Sequence, residues 1–144
     1  MKFIRCFILL LFLLFSMPIT TSAVAIMPDN PIKILTHSNA KTDYYIFANS
    51  LNTASDDIND YISFIMTKED KDHSGIVMEC LTYKFERATK HFYFRFDYIL
   101  AAAAGEEPKE IKTSLIWHDL EPLMQSEYAF SLYEALQYGK QHRQ

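Results

Sequence analysis

The clearest hydrophobic pattern in the chain lies between Ile76 and Ala104. Its apolar side chains recur in steps of three or four residues, which is the spacing of one buried helix face. The positions are Val77, Leu81, Phe85, Ala88, Phe92, Phe96, Ile99 and Ala103. Alanines at 101–104 favour a helix, and Gly105 and Pro108 follow in the order typical of a helix C-terminus. The pattern predicts one long central helix.

Two further segments repeat this helical spacing. Residues 42–67 carry apolar side chains at three- and four-residue steps, and residues 121–138 predict a last helix with a proline in its first turn. Charged connectors at 68–75 and 105–109 separate these segments. The resulting prediction is an all-α fold, a small antiparallel helical bundle of four to five helices.

One stretch of the central run also fits a strand. Residues 91–100 alternate between two sets of side chains, and the aromatic and β-branched residues there favour strands. The alternative is therefore an α+β fold with a central hairpin at 76–100. The link between the two halves, ERATK at 86–90, contains no Gly, Asn or Pro to form a tight turn. For that reason the helical interpretation is preferred.

The first 25 residues predict a signal peptide. Lys2 and Arg5 form a positive start, residues 7–15 are an unbroken apolar run, and residues 23–25 supply small side chains for cleavage. The apolar run is about half the roughly 20 residues that span a bilayer. We therefore expect cleavage, no stable membrane anchor afterwards, and a periplasmic or secreted protein.

The mature chain then consists of an extended N-terminal segment at 26–41 and a single helical domain at 42–144. Loss of Lys2 and Arg5 leaves 12 of the 14 Lys and Arg residues against all 18 Asp and Glu residues, a net charge of −6. Such a charge is repelled by phosphate backbones and attracted by basic surfaces. The charge argues against nucleic acid and favours a basic protein as the partner.

Few residues form a recognisable catalytic or metal-binding pattern. Cys80 is the one cysteine after the leader, and its place in the apolar run predicts a buried, unreactive thiol. No two histidines are three or four residues apart, although His118 and Glu121 would share a helix face. We predict no enzyme activity, no cofactor and no metal. A secreted enzyme or effector is the alternative, if scattered polar residues converge in space.

A short polar stretch resembles half of an EF-hand calcium loop. Asp70, Asp72 and Ser74 occupy ligand positions 1, 3 and 5, and Gly75 occupies position 6. Position 12, where a glutamate would bind with both oxygens, holds Leu81. A polar turn between helices explains the same residues. A weak calcium-binding helix–loop–helix module is a further alternative.

Two groups of residues are candidates for partner binding. Asp56, Asp57 and Asp60 form an acidic cluster, whose alternative role is to face the positive end of a helix dipole. Tyr93 and Tyr98 would lie off the buried face of the central helix, and tyrosine is enriched at protein interfaces. Together with the leader and the negative charge, these residues predict a small acidic exported protein-binding domain. Its most specific form is an inhibitor or immunity-type protein that neutralises a basic toxin or hydrolase.

Overall fold

The computed structural model describes residues 28–142, which form one antiparallel sheet and one α-helix. The strands are β1 (Lys33–Ser38), β2 (Thr42–Phe47), β3 (Asn52–Ser55), β4 (Asn59–Asp70), β5 (Gly75–Glu86), β6 (His91–Ala103), β7 (Lys109–Ile111) and β8 (His118–Asp119). The helix, α1, spans Glu127–Gln141. Single turns of 3-10 helix lie at Ala48–Ser50 and Glu121–Leu123.

The sheet is a meander, in which neighbouring strands follow one another along the chain. Its order is β1-β2-β4-β5-β6-β7, and the pairings are antiparallel. β2 and β3 pair with successive parts of β4, separated by the first 3-10 turn. β7 and β8 pair in the same way with two parts of β6. The three long strands β4, β5 and β6 therefore form the centre of the sheet.

Alternation along these strands directs one set of apolar side chains toward α1. Successive strand residues point to opposite faces, so Phe64, Tyr83 and Phe94 share one face across three strands. Their rings stack with centroids 5.3 and 6.0 Å apart. The buried core comprises Ile46, Ile62, Phe64, Met66, Leu81, Tyr83, Phe94, Leu120, Ala129, Leu132 and Ala135. Burial of one large apolar side chain stabilises the fold by about 1.5–3 kcal/mol.

Polar contacts fix α1 on the sheet. The fully buried Tyr83 donates its hydroxyl to the carbonyl oxygen of Tyr128 at 2.9 Å. The hydroxyl of Ser131 lies 3.2 Å from that of Thr36 and donates to the sulfur of Met66 at 2.9 Å. Because these partners belong to β1, β4 and β5, the helix crosses the sheet and buries most of one face.

The opposite side of the sheet, which we call the helix-free face, differs along its length. Near β2 it is closed, because Phe47 and Ile65 are buried there. Toward the other end of the long strands it carries polar and aromatic side chains. Its rows across β4, β5 and β6 are Tyr61-Lys84-Tyr93 and Ser63-Thr82-Arg95.

The predicted all-α bundle is wrong, and the α+β alternative with a hairpin at 76–100 is closer. β5 and β6 pair along this stretch. The turn forms without Gly, Asn or Pro because Lys90 adopts a left-handed backbone, with φ 60°. In addition, the carboxylate of Glu86 accepts a hydrogen bond from the hydroxyl of Thr89 at 2.6 Å. Side-chain bonding and one uncommon backbone conformation thus replace the expected turn residues.

The other helix predictions differ in outcome. Residues 42–67 form β2, β3 and most of β4, so no helix dipole exists there for the aspartates to face. The last helix is present, but it begins at Glu127 instead of Glu121 and continues past Gly139. The helical class given to 42–144 is wrong for the same reason as the bundle. The predicted signal peptide at 1–25 lies outside the described residues.

Candidate functional site

Trp117, the one tryptophan of the chain, lies on the helix-free face between two cations. The next residue, His118, pairs with Phe94 on the α1 side of β6, so Trp117 points to the other side. The ammonium of Lys84 lies 4.7 Å from the indole centroid, and the guanidinium carbon of Arg95 lies 4.8 Å from it. Cation–π contacts of this kind contribute about 0.5–2 kcal/mol each. They hold a half-buried indole at the protein surface.

Two tyrosines extend this aromatic surface. The ring centroid of Tyr93 lies 4.6 Å from the same Lys84 ammonium, and that of Tyr61 lies 6.4 Å from the indole centroid. Both tyrosines are half-buried. We call Tyr61, Lys84, Tyr93, Arg95 and Trp117 the tryptophan patch.

A β-bulge in β6 orients the guanidinium of Arg95. The register between β5 and β6 shifts beside Leu81, which leaves Asp97 as the extra residue. Asp97 accepts a hydrogen bond from Nε of Arg95 at 2.7 Å and another from the hydroxyl of Thr82. Charge-assisted bonds are stronger than neutral ones. Arg95 is therefore fixed before any ligand arrives.

Asp56 closes the turn between β3 and β4 and orients Tyr61. Its carboxylate accepts hydrogen bonds from the backbone N–H groups of Asn59 and Ile58, at 2.6 and 2.8 Å, and from the hydroxyl of Tyr61 at 2.8 Å. These bonds, in that order, lower the pKa of Asp56 to about 2. Asp56 is consequently ionised at neutral pH and has a local role in the turn.

The other predicted partner-binding residues are dispersed. Asp57 is exposed in the same turn, whereas Asp60 forms an ion pair with Arg87, 3.5 Å between Oδ2 and Nε. Tyr93 belongs to the tryptophan patch. Tyr98 lies on the helix-free face but two rows further along the strands. The structure thus brings Asp56 and Tyr93 to the patch and leaves Asp60 and Tyr98 apart from it.

Sequence reasoning missed four members of the tryptophan patch, which are Tyr61, Lys84, Arg95 and Trp117. The alternation at 91–100 already put Tyr93 and Arg95 on one side of a strand, and this pattern was the available signal for Arg95. Lys84 and Trp117 carry no local signal, because they meet only when β5, β6 and β8 pair.

Acidic side chains lie beside the two cations of the tryptophan patch. Glu86 and Asp119 occupy the helix-free face beside it, since Glu86 pairs with His91 and Asp119 pairs with Tyr93. The acidic rim consists of Asp56, Glu86, Asp97, Asp119 and Glu121, of which Asp97 is paired with Arg95. An aromatic centre with an acidic rim matches a basic surface.

Among the residues that the structure describes, 28–142, His91, Asp119 and Glu121 are those with donor atoms close enough together for a metal ion. Nε2 of His91 lies 3.1 Å from Oδ1 of Asp119 and 3.1 Å from Oε2 of Glu121. One imidazole and two carboxylates suit zinc or manganese, but a protonated imidazole would form the same contacts as ion pairs. The sequence pattern predicted that His118 would share one helix face with Glu121. His118 instead lies in strand β8 and packs against Phe94 on the α1 side, so this shared helix face does not form.

A separate ionisable cluster is buried between the sheet and the start of α1. Nζ of Lys68 lies 3.0 Å from Oε1 of Glu79 and 3.3 Å from Oε1 of Glu127, and it donates to the hydroxyl of Tyr128 at 2.8 Å. Burial alone would lower the pKa of Lys68, but Glu79 and Tyr128 raise it above its usual range. Burial raises the pKa of Glu79, which is 5% exposed. This cluster ties the helix to the sheet.

Cys80 is half-buried on the helix-free face. Burial, with a smaller contribution from the Asp97 carboxylate, raises the pKa of its thiol. The thiol is therefore protonated at neutral pH and a weak nucleophile.

The stretch that resembles an EF-hand loop is the hairpin turn between β4 and β5. Its flanking elements are strands, so the helix–loop–helix interpretation is wrong. Asp70 accepts a hydrogen bond from the hydroxyl of Ser74 at 3.1 Å, and Asp72 accepts one from the Ser74 N–H at 2.9 Å. Calcium binding by the turn itself stays a prediction.

The chain matches no family model, no curated protein and no solved structure. Within residues 28–142, neither α1 nor the 3-10 turns have the length and apolar character of a membrane-spanning helix.

Proposed function

We propose that this chain is an exported protein-binding domain that docks a basic protein on the tryptophan patch. The observation that carries the proposal is the half-buried Trp117, held between Lys84 and Arg95. Within the described residues 28–142, α1 covers the other side of the sheet.

The composition and rigidity of the patch support recognition of a protein. Tryptophan, tyrosine and arginine dominate the residues that contribute most to protein interfaces. Arg95 and Tyr61 are already oriented by Asp97 and Asp56. Because these side chains are ordered beforehand, a partner would lose less conformational entropy on binding.

The charge around the patch supports a basic partner. The acidic rim adds to a net charge of −6 for the chain without its predicted leader. Opposite charge accelerates association and makes it sensitive to salt. Inhibition of a basic toxin or hydrolase, as by an immunity-type protein, is the specific form of this proposal. A secreted enzyme or effector, the alternative given by the sequence, is a separate hypothesis.

The test uses the chain from residue 26, which contains all the described elements, immobilised on a support. We compare the proteins that wild type and variants retain from a periplasmic or secreted fraction. Trp117→Ala is compared with Tyr133→Ala, whose ring is 59% exposed on α1, away from the patch. We expect wild type and Tyr133→Ala to retain the same basic protein. Trp117→Ala should bind it at least about tenfold more weakly.

Circular dichroism and melting temperature of both variants establish that each is folded. Retention by the wild type should also fall as ionic strength rises. Equal retention by Trp117→Ala, or no protein retained above the blank support, would overturn the proposal.

A further inference from the structure

A groove of about 700 Å³ lies on the α1 side of the sheet, and Tyr61 is the one member of the tryptophan patch that lines it. It runs between the C-terminal half of α1 and the ends of the central strands. Its apolar floor consists of Leu51, Ile62, Tyr83, Phe85, Phe92 and Leu136. Phe85 and Phe92 are half-buried, with ring centroids 4.6 Å apart. These two rings are thus partly exposed to solvent, whereas the rings of the neighbouring core are buried.

The groove exists because α1 presents small residues along this side. Ala135 and Gly139 line it, and glycine is disfavoured in the interior of a helix. A Cβ atom built at Gly139 would meet Cδ2 of Leu51 at 3.7 Å, an ordinary contact distance. An alanine at this position would therefore fit against Leu51 without displacing it, whereas a larger side chain would extend into the groove that Gly139 lines.

The rim of the groove combines an available cation with a compensated anion. Lys140 is exposed at the end of α1, and His142 follows it. Asp60, on the rim as well, is paired with Arg87 at 3.5 Å and accepts a hydrogen bond from Ser55 at 2.8 Å. In the described part of the chain, residues 28–142, Lys140 is the lysine of the rim without an ion pair, and its charge is left for a ligand.

We propose that this groove binds a small amphipathic anion, with one apolar tail on the floor and a carboxylate beside Lys140. The volume falls in the range of about 300–1,000 Å³ that is typical of small-molecule sites. The ligand chemistry follows from the apolar floor and the cationic rim. Tyr61 borders both the groove and the tryptophan patch, whereas Lys84, Tyr93, Arg95 and Trp117 do not line the groove, so this site does not depend on the docking role proposed for Trp117.

The test uses fluorescence of cis-parinarate, a polyene carboxylate, with the chain from residue 26. We expect saturable binding and displacement by decanoate. Gly139→Leu, which fills the groove, should weaken binding at least about tenfold. Gly139→Ala is the matched control and should bind like the wild type. Trp117→Ala should leave parinarate binding unchanged.

Lys140→Glu tests the rim without altering the floor, and it does so even if Gly139→Leu fails to fold. This variant should weaken the binding of cis-parinarate and of decanoate, which are both carboxylates. The inhibition constant of uncharged decanol, calculated with the variant's own affinity for parinarate, should stay unchanged. Absence of saturable binding would overturn the proposal. So would wild-type affinity in a folded Gly139→Leu variant, or an equal effect of Lys140→Glu on decanoate and decanol.

Discussion

The two faces of the sheet use the same three strands for different purposes. On the α1 side, Phe64, Tyr83 and Phe94 are buried and stack in one core. On the helix-free face, Lys84 and Arg95 are half-buried and hold an indole at the surface. The side-chain period of two in a strand thus separates the folding core from the proposed recognition surface.

This separation operates between adjacent residues. Tyr83 precedes Lys84 in β5, and Phe94 precedes Arg95 in β6. One member of each pair is almost fully buried, whereas the other contacts Trp117. Substitutions one residue apart should therefore affect different properties.

The largest effect is expected for Tyr83→Ala. Removal of a fully buried ring from the centre of the aromatic stack should lower the free energy of unfolding by about 3–5 kcal/mol. Urea unfolding at neutral pH measures the loss. A loss below about 1 kcal/mol would show that the α1 side is not the stabilising core.

Lys68→Met should have the next largest effect, because it leaves the buried Glu79 without its cation. Lys68 is partly exposed, so we expect a loss of about 1.5–3 kcal/mol, the range for hydrogen bonds to charged groups. The double variant Lys68→Met, Glu79→Leu should recover part of this loss, since no unpaired charge remains buried. Strictly additive losses in urea unfolding would contradict the coupling.

Trp117→Ala should change stability little. Its two cation–π contacts are at the surface, where each contributes about 0.5–1 kcal/mol, so the free energy of unfolding should fall by less than about 2 kcal/mol. Thermal and urea unfolding beside Tyr83→Ala provide the comparison. If both variants lose the same stability, Trp117 belongs to the folding core and the contrast between the faces fails.

The smallest effect concerns pH. The pKa of Asp56 is about 2 in the folded chain and 3.8 as the ordinary value, so its hydrogen bonds stabilise the fold above pH 3.8. This contribution is lost as pH falls from about 4 to 2. In Asp56→Asn the melting temperature should fall less steeply over this interval than in the wild type. Equal slopes for Asp56→Asn and the wild type would contradict the assignment.

The failed helix prediction at 76–104 has a physical explanation in the strand register. A step of four residues keeps side chains on one face of a helix and, being even, also on one face of a strand. Val77, Leu81 and Phe85 consequently share the α1 side of β5. Spacing alone could not distinguish the two structures.

The two three-residue steps in that run fall at irregularities of the hairpin. The step from Phe85 to Ala88 enters the turn, and the step from Phe96 to Ile99 crosses the bulge at Asp97. Across each irregularity, side chains that are an odd number of residues apart lie on the same face of the sheet. These features arise from strand pairing, which the sequence pattern does not reveal.

Local features were predictable and distant ones were not. The polar turn before Gly75, the break after Gly105 and the C-terminal helix follow from turn and helix chemistry in neighbouring residues. Trp117 and Lys84 come together only through the pairing of separate strands. The groove depends in the same way on Gly139 lying opposite Leu51.

Fluorine NMR of the chain labelled with fluorotryptophan tests the division between the two faces most directly. Because Trp117 is the one tryptophan, the labelled chain gives a single resonance from the patch. Added basic partner should shift that resonance until the sites are saturated, both in the wild type and in Tyr133→Ala. A partner that co-elutes with the chain while the resonance stays unchanged would place binding elsewhere and contradict the role of the helix-free face.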